Sequence, residues 1–431
     1  MIVRLSDSLT RGLILFVALA LATWLSFFGV RAGLAGRAGD GETVESLQRA
    51  VRLEPRNPEY WYRLGHYQQF NLEQSDVPGA IESYQKALAL NPGFTQALVD
   101  LGTAYELSGD MAAAHDVLQR ASKTYPASAE VAWRYGNFLL REGTVPEAIV
   151  ELKRALQADP RRAGSVFSRV YRADPDIDSI LENVLPPVPI AYLAAIAEAI
   201  DSQQYAVAQT IWMRLLKLNP HLEVGQFDKL VVALMDNGDY AAARQVWDQG
   251  IATTTQPALI QPQGSVLWDP SFESGLVNKA FSWWYKPLVE GVHVGLDLNE
   301  KLSGRQSLRL SFDGKHNPNQ DLACTTGVVT PGIKYLFSGW VKTRDLTGDE
   351  GVRFHLRASG PTAIPIVTTK EFHGTSPWTF VDQEWTAGPN AHLIQVCVSR
   401  DGSTNPDIHI SGDAWVDDVT LVPAPLERRK P

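Results

Sequence analysis

The sequence predicts a multidomain protein of the α plus β class, with an N-terminal transmembrane helix, an α-solenoid of helix pairs and a C-terminal antiparallel β-sandwich of the jelly-roll type. Three observations predict it: an uncharged apolar run at 12–30, a spacing of 34 residues between Pro92, Pro126 and Pro160, and a hydrophobic period of two after residue 265. In chain order, the predicted segments are a cytoplasmic tail at 1–11, a transmembrane signal anchor at 12–30, the solenoid at 43–255, a linker at 256–264, the sandwich at 265–423 and a tail at 424–431.

The apolar run from Gly12 to Val30 is rich in Leu, Ala and Phe. As a helix it would reach about 28 Å, just enough to cross the hydrocarbon core of a bilayer. Arginines precede and follow it, so the positive-inside bias is weak, but the short tail before it favours a single-pass anchor in the inner membrane, with the rest of the chain exported. Gly33 and Ala35 leave a cleaved signal peptide as the alternative. A buried core helix is a third interpretation, for which the neighbouring sequence offers no partner face.

Small and apolar residues recur in phase between the spaced prolines. The shared offsets hold Leu101, Gly102, Tyr105, Ala114, Leu118 and Ala121 in one unit, and Tyr135, Gly136, Leu139, Ala148, Leu152 and Ala155 in the next. Gly and Ala let two antiparallel helices cross closely, and Pro begins a new unit after the second helix ends. The pattern resembles the tetratricopeptide repeat. The same register predicts a unit from Trp61, a partial unit with Leu47 and Ala50 before it, and two weaker downstream units that lack the Gly.

The resemblance implies a curved solenoid whose concave face binds peptides or partner proteins, and it implies no catalysis; a simple spacer is the alternative. The stretch from Arg161 to Val188 interrupts the array and is predicted to be an extra helix or a loop. Its alternating aspartates resemble the start of an EF-hand, but Ser179 replaces the required Gly and Leu185 the closing Glu. A helix start is therefore the better interpretation.

Strand periodicity dominates the region from 265 to 423. Leu308, Leu310 and Phe312 alternate with polar residues, and Val352, Phe354 and Leu356 do the same. Gly and Pro turns separate such runs, which favours a sandwich over a barrel. The motifs Phe272 to Gly275, GRQSLRL from Gly304, PGIKYLFSGWVKT from Pro331 and AWVDDVTL from Ala414 resemble, in this order, the jelly-roll carbohydrate-binding modules of bacterial glycanases.

That resemblance implies glycan binding, which needs exposed aromatic rings for stacking on sugar C–H faces and polar groups for orientation. In the predicted strand from Tyr335 to Lys342, Trp340 shares the polar face with Ser338 and Lys342, opposite Tyr335, Phe337 and Val341. The alternative for each aromatic residue is that it seals the core. The candidate glycan-binding residues are Trp283, Trp284, Tyr285, Trp340 and Trp378.

Such modules commonly carry a structural calcium, and Glu273 and Asp417 occupy the matching positions, with backbone carbonyls near Ser303 as further oxygen ligands. Asp418 is the alternative to Asp417, and either is equally explained as a solvated charge at a strand end. Cys324 and Cys397 both lie in predicted strands and would form a disulfide in an oxidising compartment if those strands are neighbours.

Composition and motifs bound the function. The net charge of -9 argues against nucleic acid as a partner. The sequence shows no metal-spaced His cluster, no phosphate-binding Gly loop, no nucleophile elbow and no acid–base pair, so we expect no enzyme and no required cofactor. We expect an exported, membrane-anchored scaffold that binds protein partners through its repeats and glycan through its sandwich, in surface polysaccharide assembly or export. The alternatives are an envelope protein-assembly scaffold whose sandwich binds protein, and an accessory subunit of a separate hydrolase.

Overall fold

A computed structural model of the chain describes residues 8–41, 43–73, 75–254, 264–275, 277–285, 288–358, 366–405 and 408–424. The chain divides into two compact units, Met1–Glu198 and Ala199–Pro431. The predicted fold class is confirmed, because an apolar N-terminal helix is followed by helix pairs and then by a two-sheet antiparallel sandwich. Residues 256–263 of the predicted linker at 256–264, residues 425–431 of the predicted tail at 424–431, and residues 1–7 lie outside the described residues.

Helices make up the first unit. In chain order they are α1 (Ser8–Gly39), α2 (Val44–Leu53), α3 (Pro58–Phe70), α4 (Val77–Leu90), α5 (Thr95–Ser108), α6 (Met111–Thr124), α7 (Ala129–Glu142), α8 (Val145–Ala158), a 3-10 turn (Pro160–Arg162), α9 (Ala163–Ala173), α10 (Ile177–Asn183) and α11 (Pro189–Asp201), which contains the boundary between the units. Consecutive helices pair from α1 with α2 to α7 with α8. The first helices α3, α5 and α7 also contact one another in order, as expected for stacked repeats.

Glycines at the helix crossings explain why these pairs approach so closely. A Cβ atom at Gly102 would lie 2.5 Å from Leu118 Cγ, and one at Gly136 would lie 2.8 Å from Leu152 Cγ. The first helices then end at Gly109 and Gly143, whose positive φ of 85° and 88° suits a residue without Cβ. The predicted repeat register is therefore confirmed in the two repeats that contain Gly102 and Gly136.

Helix α1 extends beyond the predicted membrane segment at 12–30. It continues to Gly39, and among the described residues it is long and apolar enough to cross a membrane. Beyond the apolar run, Ala35 is fully buried, Arg31 Nε donates to the carbonyl of Leu53, and a Cβ at Gly39 would lie 2.5 Å from Tyr60 Cε1. The end of α1 thus supplies the first helix of the predicted partial repeat, with α2 as its second helix.

The interrupting stretch forms helices α9 and α10. The side chain of Asp176 accepts a hydrogen bond of 3.1 Å from Ser179 N and so caps α10. The helix start predicted in preference to an EF-hand is confirmed. Aspartate at this position stabilises the helix by satisfying one of its unpaired N–H groups.

The second unit begins with helices α12 (Tyr205–Leu216), α13 (Val224–Asp236) and α14 (Tyr240–Thr253). The downstream repeats lack the crossing glycine on their first helix, as the sequence indicates. In the last helix pair a glycine of the second helix, Gly250, makes the close approach, since a Cβ there would lie 2.6 Å from Phe227 Cδ2. A glycine on either helix of the pair serves the same steric purpose.

Strands complete the second unit. They are β1 (Trp284–Tyr285), β2 (Leu288–Val289), β3 (Val292–Asp297), β4 (Ser307–Asp313), β5 (Gln320–Val328), β6 (Lys334–Leu346), β7 (Val352–Ala358), β8 (Val367–Thr368), β9 (Gly374–Thr386), β10 (Leu393–Arg400) and β11 (Ser411–Pro423). One sheet has the order β1-β5-β10-β7-β8 and the other β2-β3-β4-β11-β6-β9. The alternating apolar residues of β4 and β7 point into the core between the sheets, as their periodicity predicted.

Helix α14 packs directly on the sandwich. Trp247 is fully buried, with its ring centroid 5.2 Å from that of Trp268 and 6.1 Å from that of Phe281. An ion pair of 3.3 Å joins Lys279 Nζ to Asp228 of α13. The boundary between compact units follows Glu198, and α12 to α14 belong with the strands.

Candidate functional site

The outer face of the six-stranded sheet carries a pair of neighbouring aromatic rings, one exposed and the other half-buried. Along β6, Tyr335, Phe337 and Val341 are buried in the core, while the residues between them face outward. Trp340 is one of these, and it lies directly opposite Phe380 of β9. The ring centroids are 5.2 Å apart, and Phe380 is 45% exposed. Trp340 and Phe380 are called the aromatic pair below.

Polar side chains surround the aromatic pair. Ser338 Oγ and Thr420 Oγ1 are hydrogen-bonded at 2.8 Å next to it, and Asp382 lies opposite Ser338 in the register of β6 and β9. On the other side, Lys342 Nζ is 2.6 Å from Glu300 Oε2. Apolar rings bordered by hydroxyl and charged groups match the alternating C–H faces and hydroxyls of a sugar.

Another tryptophan of the same sheet is closed off. Trp415 is fully buried, its Nε1 donates to Asp297 Oδ2 at 2.9 Å, and the Arg344 guanidinium lies 4.7 Å from its ring centroid. Arg309 and Arg344 both pair with Asp413. Burial raises the pKa of Asp413, but hydrogen bonds from Ser311 and the two guanidinium groups outweigh it and hold that pKa below its usual range. This end of the face is a closed charged network.

Trp283 is not a surface residue, which corrects one of the predicted glycan contacts. It is fully buried, its ring centroid lies 4.7 Å from that of Phe272, and its Nε1 donates to the carbonyl of Asp269 at 2.9 Å. A ring at this position cannot stack on a sugar while the sandwich is folded. In a consecutive aromatic run, period two sends one ring inward, and here that ring is Trp283.

The remaining predicted residues do not converge on one site. Trp284 is 45% exposed, but it pairs with Cys324 in the five-stranded sheet, as its neighbour Tyr285 does with Ala323. Trp378 is half-buried in β9, in the same sheet as the aromatic pair. Phe380, which the sequence analysis missed, completes the pair. Its signal in the sequence was an even spacing from Trp378.

The two cysteines lie directly opposite each other on β5 and β10 and form a disulfide. Both are buried. Among the described residues, the group of three side chains with metal-ligating atoms close together consists of these cysteines and Asp321. Because the two sulfurs are bonded to each other, neither is a thiolate available to a metal.

Asp321 instead belongs to a charged network on β5, β10 and β7. Burial raises its pKa, but hydrogen bonds from His355, Ser399 and Arg357 outweigh this and hold the pKa well below its usual range. Ser399 Oγ donates to Asp321 Oδ1 at 2.6 Å, and Arg357 Nη2 donates to the same oxygen at 3.0 Å. Side chains of the same sheet therefore stabilise the ionised form of this carboxylate.

The two predicted calcium ligands hold the same loop, which connects β3 and β4. Asp417 Oδ2 accepts hydrogen bonds from the backbone N–H groups of Leu302 and Ser303 at 2.9 and 3.1 Å. Glu273 Oε1 accepts from Arg305 N at 2.7 Å, and it lies so close to Gly304 that a Cβ there would be 2.2 Å away. The carboxylates thus converge on one tight backbone turn.

The environments of the two carboxylates differ. Burial raises the pKa of Asp417 to about 6, with a further contribution from the charge of Asp418, against the opposing effect of the N–H groups. For Glu273, burial is outweighed by hydrogen bonds from Arg305 and Gln306, and its pKa is lowered. Of the two carboxylates, Asp417 is therefore the one whose charge a cation would stabilise more.

The first helices of the repeats present a second candidate surface. The residue five positions after each crossing glycine is Phe70 in α3, Leu107 in α5 and Arg141 in α7. Phe70 is 45% exposed and Leu107 is 61% exposed, although both are large apolar side chains. Arg141 makes two hydrogen bonds to Glu106, of 2.5 and 2.8 Å. These equivalent positions on neighbouring helices are called the repeat face below.

Aromatic side chains extend the repeat face along α3. The ring centroid of His66 is 4.7 Å from that of Phe70 and 5.9 Å from that of Tyr62. Tyr62 Oη donates to Asp100 Oδ2 of α5 at 3.1 Å, and burial raises the pKa of Asp100. This hydrogen bond joins α3 to α5.

Comparison with known families identifies the repeats. Two family models of the tetratricopeptide repeat match the chain, one over residues 44–93 and the other over 71–133. The helix pairs from α2 to α7 in this segment are tetratricopeptide repeats. Repeats of this family are protein-interaction scaffolds, and the exposed apolar positions of the repeat face lie within or next to the matched segment.

Similarity to individual proteins is more limited. The chain is 34% identical over 92 residues to the mouse protein O-mannosyl-transferase TMTC1, which is 20% of this chain and 9% of that protein. The chain therefore spans less than a tenth of the length of this relative.

Solved structures resemble both halves of the chain. YrrB, a tetratricopeptide protein with an unusual peptide-binding site, is 14% identical with a TM-score of 0.26, and the match covers 49% of this chain and 93% of YrrB. A CBM4 structure is 12% identical with a TM-score of 0.27, and the match covers 37% of this chain and 99% of that one. Scores of this size establish neither fold nor ligand, so the fold rests on the helix pairs and strand order described above.

Proposed function

We propose that this protein is a membrane-anchored, exported scaffold that holds a protein partner on its repeats and a glycan on its sandwich. Its setting would be the assembly or export of a surface polysaccharide in a bacterial envelope. The paired rings of half-buried Trp340 and exposed Phe380, bordered by hydroxyl groups, carry the glycan half of this proposal. We assign no catalytic activity to the chain.

The repeat face supports the partner half. Exposed Phe70 and Leu107 would bury apolar surface on binding, at about 25 cal/mol per Å². Arg141, at the equivalent position of α7, is exposed but already paired with Glu106, so it would border the bound segment as a polar group. A partner segment with apolar residues matches this arrangement.

Helix α1 supports the anchor in preference to a cleaved signal peptide. Cleavage near Gly33 or Ala35 would cut through the part of α1 that packs on the repeats, where Ala35 is fully buried. The apolar part of the same helix is exposed. One continuous helix would thus both cross the membrane and begin the repeat array.

Glycan binding is tested with a double variant of the aromatic pair and a single-substitution control. We expect the full chain in nanodiscs to bind at least one purified polysaccharide from its own envelope, and Trp340→Ala with Phe380→Ala to weaken this binding at least about tenfold, because stacking is lost. Phe70→Ala is the control, since Phe70 and Phe380 are each 45% exposed but lie in different units. Isothermal titration calorimetry gives the affinities.

Two outcomes would count against the glycan half of the proposal. The first is a folded wild-type chain that retains no envelope polysaccharide. The second is an equal loss of affinity in the control and in the double variant. Either outcome would favour the alternative in which the sandwich binds protein.

A structural calcium ion is part of the proposal. Glu273 and Asp417 would hold it beside the loop at 302–306, with carbonyl oxygens of that loop as further ligands. The ion would supply positive charge next to the buried Asp417 carboxylate. Carboxylate and carbonyl oxygens are the ligands that a hard cation prefers.

Without calcium, the raised pKa of Asp417 predicts a pH dependence of stability. The pKa of Asp417 is about 6 in the folded state, against an ordinary value of 3.8, so folding favours the protonated carboxyl. This stabilising contribution is fully present below pH 3.8 and is lost as the pH rises through 6. In EDTA, the stability of the wild type relative to Asp417→Asn should fall by about 3 kcal/mol between pH 4 and 8. Thermal unfolding of both proteins across this range measures it.

Calcium should reverse the effect. Above pH 6 it should raise the melting temperature of the wild type and leave that of Asp417→Asn unchanged, because only the charged carboxylate binds the ion. If neither calcium nor EDTA changes the melting temperature of the wild type, the calcium site is contradicted. The carboxylates would then only hold the loop through its N–H groups.

A further inference from the structure

A pocket of about 590 Å³ lies where the first turn of α14 meets the loop between β9 and β10. Tyr240 of α14 and Trp385, Thr386, Asn390 and His392 of the sandwich line it. All of these residues belong to the second compact unit. The volume falls in the range of small-molecule sites, about 300 to 1,000 Å³. It is separate from the aromatic pair on the outer face of the sheet.

The rings around this pocket are held in place by stacking. The ring centroids of Tyr240 and His392 lie 5.9 Å apart, with an interplanar angle of 23°. Trp385 stacks on Tyr335 at 5.9 Å and 30°, and Tyr335 is buried and accepts a hydrogen bond of 2.8 Å from Thr330 N. Fixed aromatic surfaces lose little entropy on binding, so they are suited to contact with a flat ligand face.

The polar groups of the pocket are free to bind a ligand. Within the described parts of the chain, the Tyr240 and Thr386 hydroxyls, the Asn390 amide and the nitrogens of His392 have no hydrogen-bond partner. None of the described residues that line the pocket has a carboxylate, ammonium or guanidinium group. Hydroxyl, amide and imidazole groups among aromatic rings match a ligand rich in hydroxyls and without charge.

We propose that this pocket binds a short segment of an uncharged saccharide. This inference rests on the proposed glycan-binding function and gives it a second, independent subsite, shared between the last repeat helix and the sandwich. Tyr240 and Trp385 would contact the sugar faces, and Asn390 and Thr386 would bond to its hydroxyls. Because the strands and α14 both line the site, the saccharide would couple the two elements.

Calorimetric titration of the full chain in nanodiscs tests the proposal. The probes are cellohexaose, xylohexaose and mannohexaose as neutral ligands, and hexagalacturonate as a charged ligand of similar size. We expect binding of at least one neutral probe, weakened about tenfold by Tyr240→Leu and by Asn390→Ala. Asn390 is exposed, so its substitution keeps the fold intact, which thermal unfolding checks.

Phe380→Ala separates this proposal from the proposed function. If neutral probes bind and only Phe380→Ala weakens them, the pocket is overturned and glycan binding at the aromatic pair stands. Loss with Tyr240→Leu and Asn390→Ala, but not with Phe380→Ala, supports the pocket. Preference for hexagalacturonate overturns the uncharged ligand, and a folded wild type that binds no probe overturns the pocket while leaving binding of larger polysaccharides to its own test.

Discussion

Replacing Gly136 with Leu should lower the free energy of unfolding of the repeats by about 1 to 3 kcal/mol or more. A Cβ atom at this position would lie 2.8 Å from Leu152 Cγ and 3.3 Å from the carbonyl oxygen of Ala148. The first neighbour can rotate, but the second is backbone and must move with its helix. Gly102→Leu should act the same way, because its Cβ would lie 2.5 Å from Leu118 Cγ.

Gly225→Leu is the control for these substitutions. Gly225 is also a helical glycine without positive φ, and its Cβ would meet nothing within 4 Å. Urea unfolding followed by circular dichroism should show a large loss for Gly136→Leu, a smaller one for Gly136→Ala and almost none for the control. Equal losses at Gly136 and Gly225 would show that the helix crossing does not require glycine.

Trp247→Ala should destabilise the second unit by about 3 to 5 kcal/mol, since it removes a large, fully buried side chain. The Trp247 ring contacts Phe227 of α13 and also Trp268 and Phe281 of the sandwich. The resulting cavity would therefore lie between helices and strands. We expect both to unfold together at lower denaturant concentration.

Tryptophan fluorescence and near-ultraviolet circular dichroism follow this transition in urea. Trp284→Ala is the matched control in the same unit, because Trp284 is 45% exposed and its truncation leaves little cavity. If Trp247→Ala leaves the urea midpoint of the sandwich unchanged while the helices unfold at lower urea concentration, the strands fold independently of α14.

Local patterns predicted most of the architecture. Gly102 and Gly136 revealed the repeats because a close helix crossing has a strict steric requirement that leaves a mark in the sequence. The alternation in β4 and β7 predicted the sandwich because successive side chains of a strand point to opposite faces of the sheet. The outward orientation of Trp340 followed from the same rule.

Features that depend on tertiary contacts could not be predicted from the sequence. Hydropathy fell at Arg31, but α1 continues to Gly39 because Leu53 and Tyr60 contact it there. Nothing local distinguished Gly250 as the crossing residue of the last helix pair. Likewise, the contact of Trp247 with Trp268 joins two segments that composition alone assigned to separate domains.

The candidate sites were predicted only in part, for the same reason. Period two could not decide which ring of the run at Trp283 and Trp284 turns inward. Phe380 became a candidate only once the register placed it opposite Trp340. Tyr240 and His392 lie far apart in the sequence, and only the position of α14 on the sandwich brings them together.

Every functional role proposed for this protein requires that α1 carries the repeats and the sandwich out of the cytoplasm. The most direct measurement is the activity of a phosphatase reporter that works only after export, fused after Pro431, with a cytoplasm-only reporter at the same position as its counterpart. We expect the phosphatase fusion to be active and membrane-bound, and its activity to disappear when residues 12–30 are deleted. Activity of the cytoplasm-only reporter, with an inactive phosphatase fusion, would contradict the account.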